Sequence, residues 1–285
     1  MALCVLRAHL SGALAAGGLV CAAHSSSVNC SAPAGVPRRF LDATHGDSRR
    51  AQERWEATER WRRNAHIDEM LRHPPLHFDL IKQHYPHYVV CRDSDGRPIV
   101  VEQLGGAHEI FKNLRAEGVG VNEVLLHQVF IHEWLWGNLT GERDVVGVEP
   151  TPKGAAVRVY DAAGLTMHDC YCSTVRAYFK AMSLIGDHYP ERVAAVFIMN
   201  VPSWFAWAWN ICAPFVPART QKKLRICGAN DGTCASALAT LVGNNVDHLP
   251  RAYGGRCQGT LEASTEERQL RAFVARLQKS ASKNR

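Results

Sequence analysis

The sequence predicts an α/β fold with a mixed or parallel sheet, and three observations carry that expectation. Short β-branched runs alternate with longer stretches of helical periodicity along most of the chain. One run, Val193 to Met199, is apolar throughout, as a strand covered on both faces must be. It leads through Asn200-Val201-Pro202 into a tryptophan-rich amphipathic stretch, and Lys222-Lys223 then opens a further strand.

The 285 residues fit one large domain with short appendages, and 46% hydrophobic content is enough for a sizeable core. The net charge of +6 favours weak attraction to anionic membranes. No RNA-binding aromatic signature, zinc finger or basic zipper is present, so no nucleic-acid partner is expected.

Residues 1–37 read as a leader, rich in Ala, Ser and Gly, with no Asp or Glu before Asp42. An organellar transit peptide fits this composition better than a secretory signal does; a disordered leader is the alternative. Residues 38–75 form a charged helical subdomain. Ala51, Trp55, Thr58 and Arg62 keep helical spacing, and the helix should stop before His73-Pro74-Pro75. Tyr88–Arg92 and Pro98–Gln103 flank Asp93-Ser94-Asp95-Gly96, a strand-turn-strand signal. Asn122 is placed to cap a helix bearing Leu125, Val129, His132 and Trp136. A polar loop over 142–154 precedes a strand from Ala155 to Tyr160, ending at Asp161. Asp169 is placed to open a helix carrying Val175, Tyr178, Phe179 and Met182. A terminal amphipathic helix over Thr265–Gln278, within a tail of 259–285, should dock on the surface through Leu270, Phe273, Val274 and Leu277.

The ten cysteines include no C-x-x-C pair, and several lie in apolar runs. Free thiols in a reducing compartment are expected rather than a disulfide scaffold. Enzyme motifs are missing. There is no G-x-S-x-G elbow and no phosphate loop. Gly118-x-Gly120 lacks the third glycine of a dinucleotide fingerprint, and Trp136 stands where His132-Glu133 would need a second zinc-binding histidine. His73, His77, His84 and His87 read as loop and helix-end residues more readily than as metal ligands.

Trp204, Phe205, Trp207, Trp209, Ile211 and Phe215 load one short helix with aromatic and apolar side chains. Each ring removes roughly 150–250 Å² from water when buried, worth on the order of 4–6 kcal/mol. Such a helix needs an apolar partner. It packs into the core, docks a protein, or forms a mobile lid over a cavity that also touches membrane.

The order and spacing of several further pieces resemble the CRAL-TRIO family of lipid-binding domains, as in secretory-pathway phosphatidylinositol transfer proteins. The pieces are Arg39-Phe40-Leu41, Tyr85-Pro86, Asp95 to Val101, Val157 to Asp161, Tyr189-Pro190-Glu191-Arg192, Asn200-Val201-Pro202, Pro214-Phe215 and Leu249-Pro250-x-x-Tyr253-Gly254-Gly255. The resemblance implies a helical N-terminal subdomain, a lipid-binding domain over 76–258 whose sheet floors an apolar pocket, and a gating helix from Trp204 to Phe215. It places Glu191, Thr220 and Lys223 at a phosphatidylinositol head group. It also implies further helices ahead of Arg39, where this chain carries its leader. Thr44 replaces a basic residue of the usual site. Ala156 and Arg158 stand where phosphatidylcholine carriers have small hydroxyl residues, so phosphatidylcholine exchange is not expected. The implied protein is a non-enzymatic monomer with no metal or cofactor beyond its lipid. It is cytoplasmic and peripheral to membranes, or organellar if the leader is a transit peptide. A phosphorus-free hydrophobe such as a tocopherol is the alternative ligand, and a non-transporting interaction module the alternative role.

Overall fold

The computed structural model describes residues 34–139, 141, 152–212 and 221–283. Helix α1 (Arg38–Ala43) and α2 (Ser48–Asn64) form the N-terminal layer, followed by a 3-10 turn (Ile67–Arg72) and α3 (Phe78–His84). Asp47 caps α2, its carboxylate accepting from the Arg50 amide at 3.0 Å. Strands β1 (His87–Arg92) and β2 (Pro98–Gln103) are the expected hairpin. Asp93 Oδ1 accepts from the amides of Asp95 (3.0 Å) and Arg97 (2.8 Å), while Gly96 takes the φ of 81° that the turn requires.

Helices α4 (Ala107–Ala116) and α5 (Val121–Trp134) follow. The start of α5 differs from the expected Asn122 cap. Glu123 Oε2 reaches back to the Gly120 amide at 3.0 Å, so the acid three positions on supplies the cap. Strand β3 (Ala156–Asp161) leads into a short helix α6 (Met167–Tyr171) and then α7 (Ser173–Gly186). Asp169 therefore does not open the long helix. It closes a capping box with Thr166, accepting from that residue's amide at 2.8 Å, and Ser173 begins α7. Strand β4 (Val193–Val201), α8 (Ser203–Cys212), β5 (Leu224–Gly228), α9 (Thr233–Val242) and α10 (Thr265–Lys283) complete the described elements.

The five strands lie in the order β1-β2-β3-β4-β5. The hairpin is antiparallel and the remaining pairs are parallel, so the sheet is mixed. Alternating side chains give it two buried faces. Val157, Val159, Phe197, Met199 and Cys227 pack under α9. Tyr160, Val196 and Ile198 pack against α4, α5 and α7, with Val100 and Ala156 continuing that face toward α10.

Two further features depart from the sequence-based expectations. Cys227 and Cys234 are joined in a disulfide, with 5.9 Å between their Cα atoms, tying β5 to α9. They lie seven positions apart, so no spacing motif marked the pair. Cys91, Cys170, Cys172 and Cys257 are free thiols. The second concerns α10. Besides Leu270 and Val274, it buries Glu267 against Lys82 of α3 at 2.9 Å, both side chains almost wholly out of water. The Lys82 ammonium also lies 5.3 Å from the Tyr88 ring centroid.

Candidate lipid-binding site

Strand β5 is the edge of the sheet on which the site is built. Leu224 pairs with Val196 and Ile226 with Ile198 across the β4–β5 ladder. These side chains share the face of the sheet that meets α4, α5 and α7. Beside them a cavity of about 510 Å³ is lined by Val201, Pro202, Ala206, Trp209, Leu224, Ile226 and Gly228, with Ser203 and Gln221 at its polar margin. Its volume falls within the roughly 300–1,000 Å³ of small-molecule sites.

Helix α8 forms one wall, and its aromatic residues divide their roles. Phe205 is buried in the core with Tyr178 and Phe179 of α7. Trp204 is half-buried and packs on Cys170 of α6. Trp209 faces the cavity. Trp207 and Ile211 belong to the same helix, but their side chains, like all of Phe215 and Thr220, fall outside the described residues.

The start of α8 is held by one carboxylate. Asp161, at the end of β3, accepts from Asn200 Nδ2 at 2.8 Å and from Tyr253 OH at 2.9 Å. Asn200 sits in the left-handed region at φ 56°, which turns the chain from β4 into Pro202 and α8. Three widely spaced sequence pieces thus meet at one point. Gly255 is fixed there as well: a Cβ on it would lie 1.8 Å from the Leu249 carbonyl oxygen.

Glu191 and Lys223 come together at the opposite end of the strands. They lie just before β4 and β5, and Lys223 Nζ is 3.5 Å from Glu191 Oε2 while donating to the Val193 carbonyl at 2.9 Å. Both side chains are partly exposed, as a head-group site requires. Lys223 immediately precedes Leu224 of the cavity wall. At about 3.3 Å per residue, β5 therefore carries the trough for roughly 13 Å away from this ion pair. Glu191 also has positive φ, at 56°.

On the other side of Glu191, Tyr189 and Arg192 line a second, polar cleft of about 260 Å³ with Trp55, Arg62, Glu133 and Trp136 among its walls. Glu133 is committed there. It accepts from Arg62 at 2.9 and 3.0 Å and from Tyr189 OH at 2.6 Å. The Arg192 guanidinium lies 4.7 Å from the Trp136 ring centroid. Thr44, expected where a cation would stand, ends α1 and donates to the Phe40 carbonyl at 2.9 Å.

The deep sheet face is polar at its centre. Arg158 meets His132 Nε2 at 2.8 Å and Glu102 Oε1 at 3.4 Å, and Glu102 accepts from Tyr85 OH at 2.8 Å. Burial raises the Tyr85 and Tyr160 phenols well above their usual range, with the Glu102 charge adding to the effect. Of the four histidines near 73–87, His84 lies 2.7 Å from Glu117, and buried His87 faces His127 at 2.9 Å between ring nitrogens.

Sequence reasoning missed the Asp161 junction. Asp161 and Tyr253 stood inside recognised motifs, but their convergence across 92 positions leaves no local signal.

Comparisons with known proteins identify relatives of this chain. The Sec14 cytosolic factor of Schizosaccharomyces pombe is 28% identical over 235 residues, covering 77% of this chain and 73% of that protein. The SEC14 cytosolic factor of Candida glabrata is 26% identical over 233 residues, covering 77% and 70%. An Arabidopsis thaliana protein named phosphatidylinositol/phosphatidylcholine transfer protein SFH9 is 21% identical over 231 residues, which are 77% of this chain and 36% of that protein. The crystal structure of Sfh5 superposes with a TM-score of 0.58 at 18% identity, covering 81% of this chain and 73% of that one, and so shares the fold. The family model of the CRAL/TRIO domain matches residues 82–255, more than half of the sequence, and the chain therefore belongs to the CRAL/TRIO domain family.

Proposed function

We propose that this chain is a non-enzymatic carrier that binds a phospholipid, phosphatidylinositol or a close relative, and exchanges it at membrane surfaces from the cytosol. The observation that carries the reading is the Glu191–Lys223 pair just ahead of β4 and β5, with Lys223 one residue before Leu224, which with Ile226 and Trp209 lines the neighbouring cavity. A cation suits a phosphate and a carboxylate suits inositol hydroxyls. Each methylene held out of water is worth about 0.8 kcal/mol, so the apolar wall of the cavity supplies affinity while the ion pair selects the head group. The name of the Arabidopsis relative is consistent with this class of ligand. Choline is disfavoured by the resemblance, because Ala156 and Arg158 stand where phosphatidylcholine carriers have small hydroxyl residues. No described helix is long and apolar enough to cross a membrane, and contact through α8 would be peripheral.

The test is transfer of labelled phosphatidylinositol between vesicles. Wild type should transfer above background, and a Glu191→Ala, Lys223→Ala double variant should fall to it. Equal transfer by the two proteins would reject the reading. Thr44 favours a second reading, in which the ligand is a phosphorus-free hydrophobe. Mass spectrometry of the co-purifying lipid separates them, and a ligand without phosphorus would select the second.

A further inference from the structure

Residues 187–192 connect α7 to β4, and one stripe of α2 grips the first half of that connection. Arg54 donates Nε and Nη2 to the Asp187 carbonyl at 3.0 and 2.9 Å, with the Asp187 carboxylate 3.7 Å away. Thr58 Oγ1 meets His188 Nδ1 at 2.9 Å. Trp61 stacks on the His188 ring at 4.3 Å and 6° and stands edge-on to Tyr189 at 5.8 Å. Arg62 holds Glu133, which accepts from the Tyr189 hydroxyl. Positions 54, 58, 61 and 62 share one helical face. Each residue from 187 to 189 is thereby engaged, two positions before Glu191.

Glu191 needs that support. A non-glycine residue at φ 56° persists only where its surroundings over-determine it. Lys223 holds the Glu191 carboxylate from the β5 side. On the α2 side, the Asp187 and Glu191 charges both act on the Arg54 guanidinium, although burial is the larger influence on it and lowers its pKa. Arg54 is the member of the stripe that combines charge with a fork onto the connection's backbone.

We propose that Arg54 is a positioning residue for head-group binding: its fork on the Asp187 carbonyl fixes the turn that presents Glu191 opposite Lys223. The inference rests on the phospholipid reading above and makes the N-terminal helical layer part of ligand selection. Arg54 acts through the turn, so its loss costs head-group recognition and leaves the apolar trough intact.

The experiment compares wild type, Arg54→Gln and Arg54→Lys with two probes: vesicles containing labelled phosphatidylinositol, and a fluorescent fatty alcohol that has a tail and no phosphate. Arg54→Gln should lower phosphatidylinositol transfer about tenfold or more, the usual scale for losing a charge-assisted contact. Fatty-alcohol binding should stay within about twofold, and amide exchange over 187–192 should accelerate selectively. Arg54→Lys keeps the charge without the fork and should fall between the two. Equal losses for both probes would mark a merely structural residue and overturn the proposal. So would wild-type phosphatidylinositol transfer by either variant, the Lys variant deciding the matter if the Gln variant does not fold. Background phosphatidylinositol transfer by wild type itself would instead remove the phospholipid reading, and the role of Arg54 with it.

Discussion

Glu191 carries two demands that pull apart. Its carboxylate pairs with Lys223, and its backbone occupies a region that costs an L-residue on the order of 1 kcal/mol or more. Glycine takes that backbone without the penalty. Glu191→Gly should therefore be about 1 kcal/mol more stable than Glu191→Ala in urea unfolding, while both lose phosphatidylinositol transfer. An alanine variant at least as stable as the glycine variant would show that the turn stores no strain. The sequence pointed to Glu191 and Lys223 through motif resemblance, and the structure brings them within 3.5 Å. It gave no hint of the αL turn, because backbone conformation at a non-glycine residue has no compositional marker. Arg54 was equally hidden: a charged residue on an exposed-looking helix reads as a solvated face until its partner, 133 positions away, is known.

At the scale of elements, α8 combines anchoring and lining. Phe205 is buried in the core, whereas Trp209 borders the cavity. Phe205→Ala should cost about 3–5 kcal/mol of stability, read as a large fall in melting temperature. Trp209→Asp, which puts a charge into the trough, should lower melting by less than Phe205→Ala and depress lipid transfer more. The reverse pattern would mean that Trp209 is the core anchor. Periodicity alone revealed the helix and left its use open among core, docking face and lid. The difference between Phe205 and Trp209 comes from which side chain meets α7 and which meets β5, a matter of tertiary placement. Strands were the most legible elements, β4 above all, because its Val196–Met199 segment is covered on both faces and reads as an apolar run. The β5–α9 disulfide was the least legible, since two cysteines in apolar runs look like ordinary core residues.

The whole molecule is held by buried polar junctions as well as by its apolar layers. His87 and His127 lie at the meeting of α3, β1 and α5, with Lys82 and Glu267 beside them. Burial, reinforced by the Lys82 charge, holds both imidazoles well below their usual pKa, so they stay neutral in the folded state. In the unfolded chain they take up protons near pH 6.5. The stability they allow is present above that value and lost below it. Each contributes a loss of about 1.4 kcal/mol per pH unit until the folded pKa is reached. His188, held at about 4 chiefly by burial, adds to the decline in the same direction. The urea midpoint should fall steeply from pH 7 to pH 5, and His127→Gln should flatten that slope. A midpoint unchanged over this range would contradict the neutral buried pair.

The junction at Asp161 has a wider consequence. Its two side-chain donors lie 39 and 92 positions away along the chain, one leading into α8 and the other beyond α9. A polypeptide halted before Tyr253 would leave that acid with one of its three donors missing. The entry into α8 therefore reaches its full set of hydrogen bonds only once the chain beyond α9 has been made.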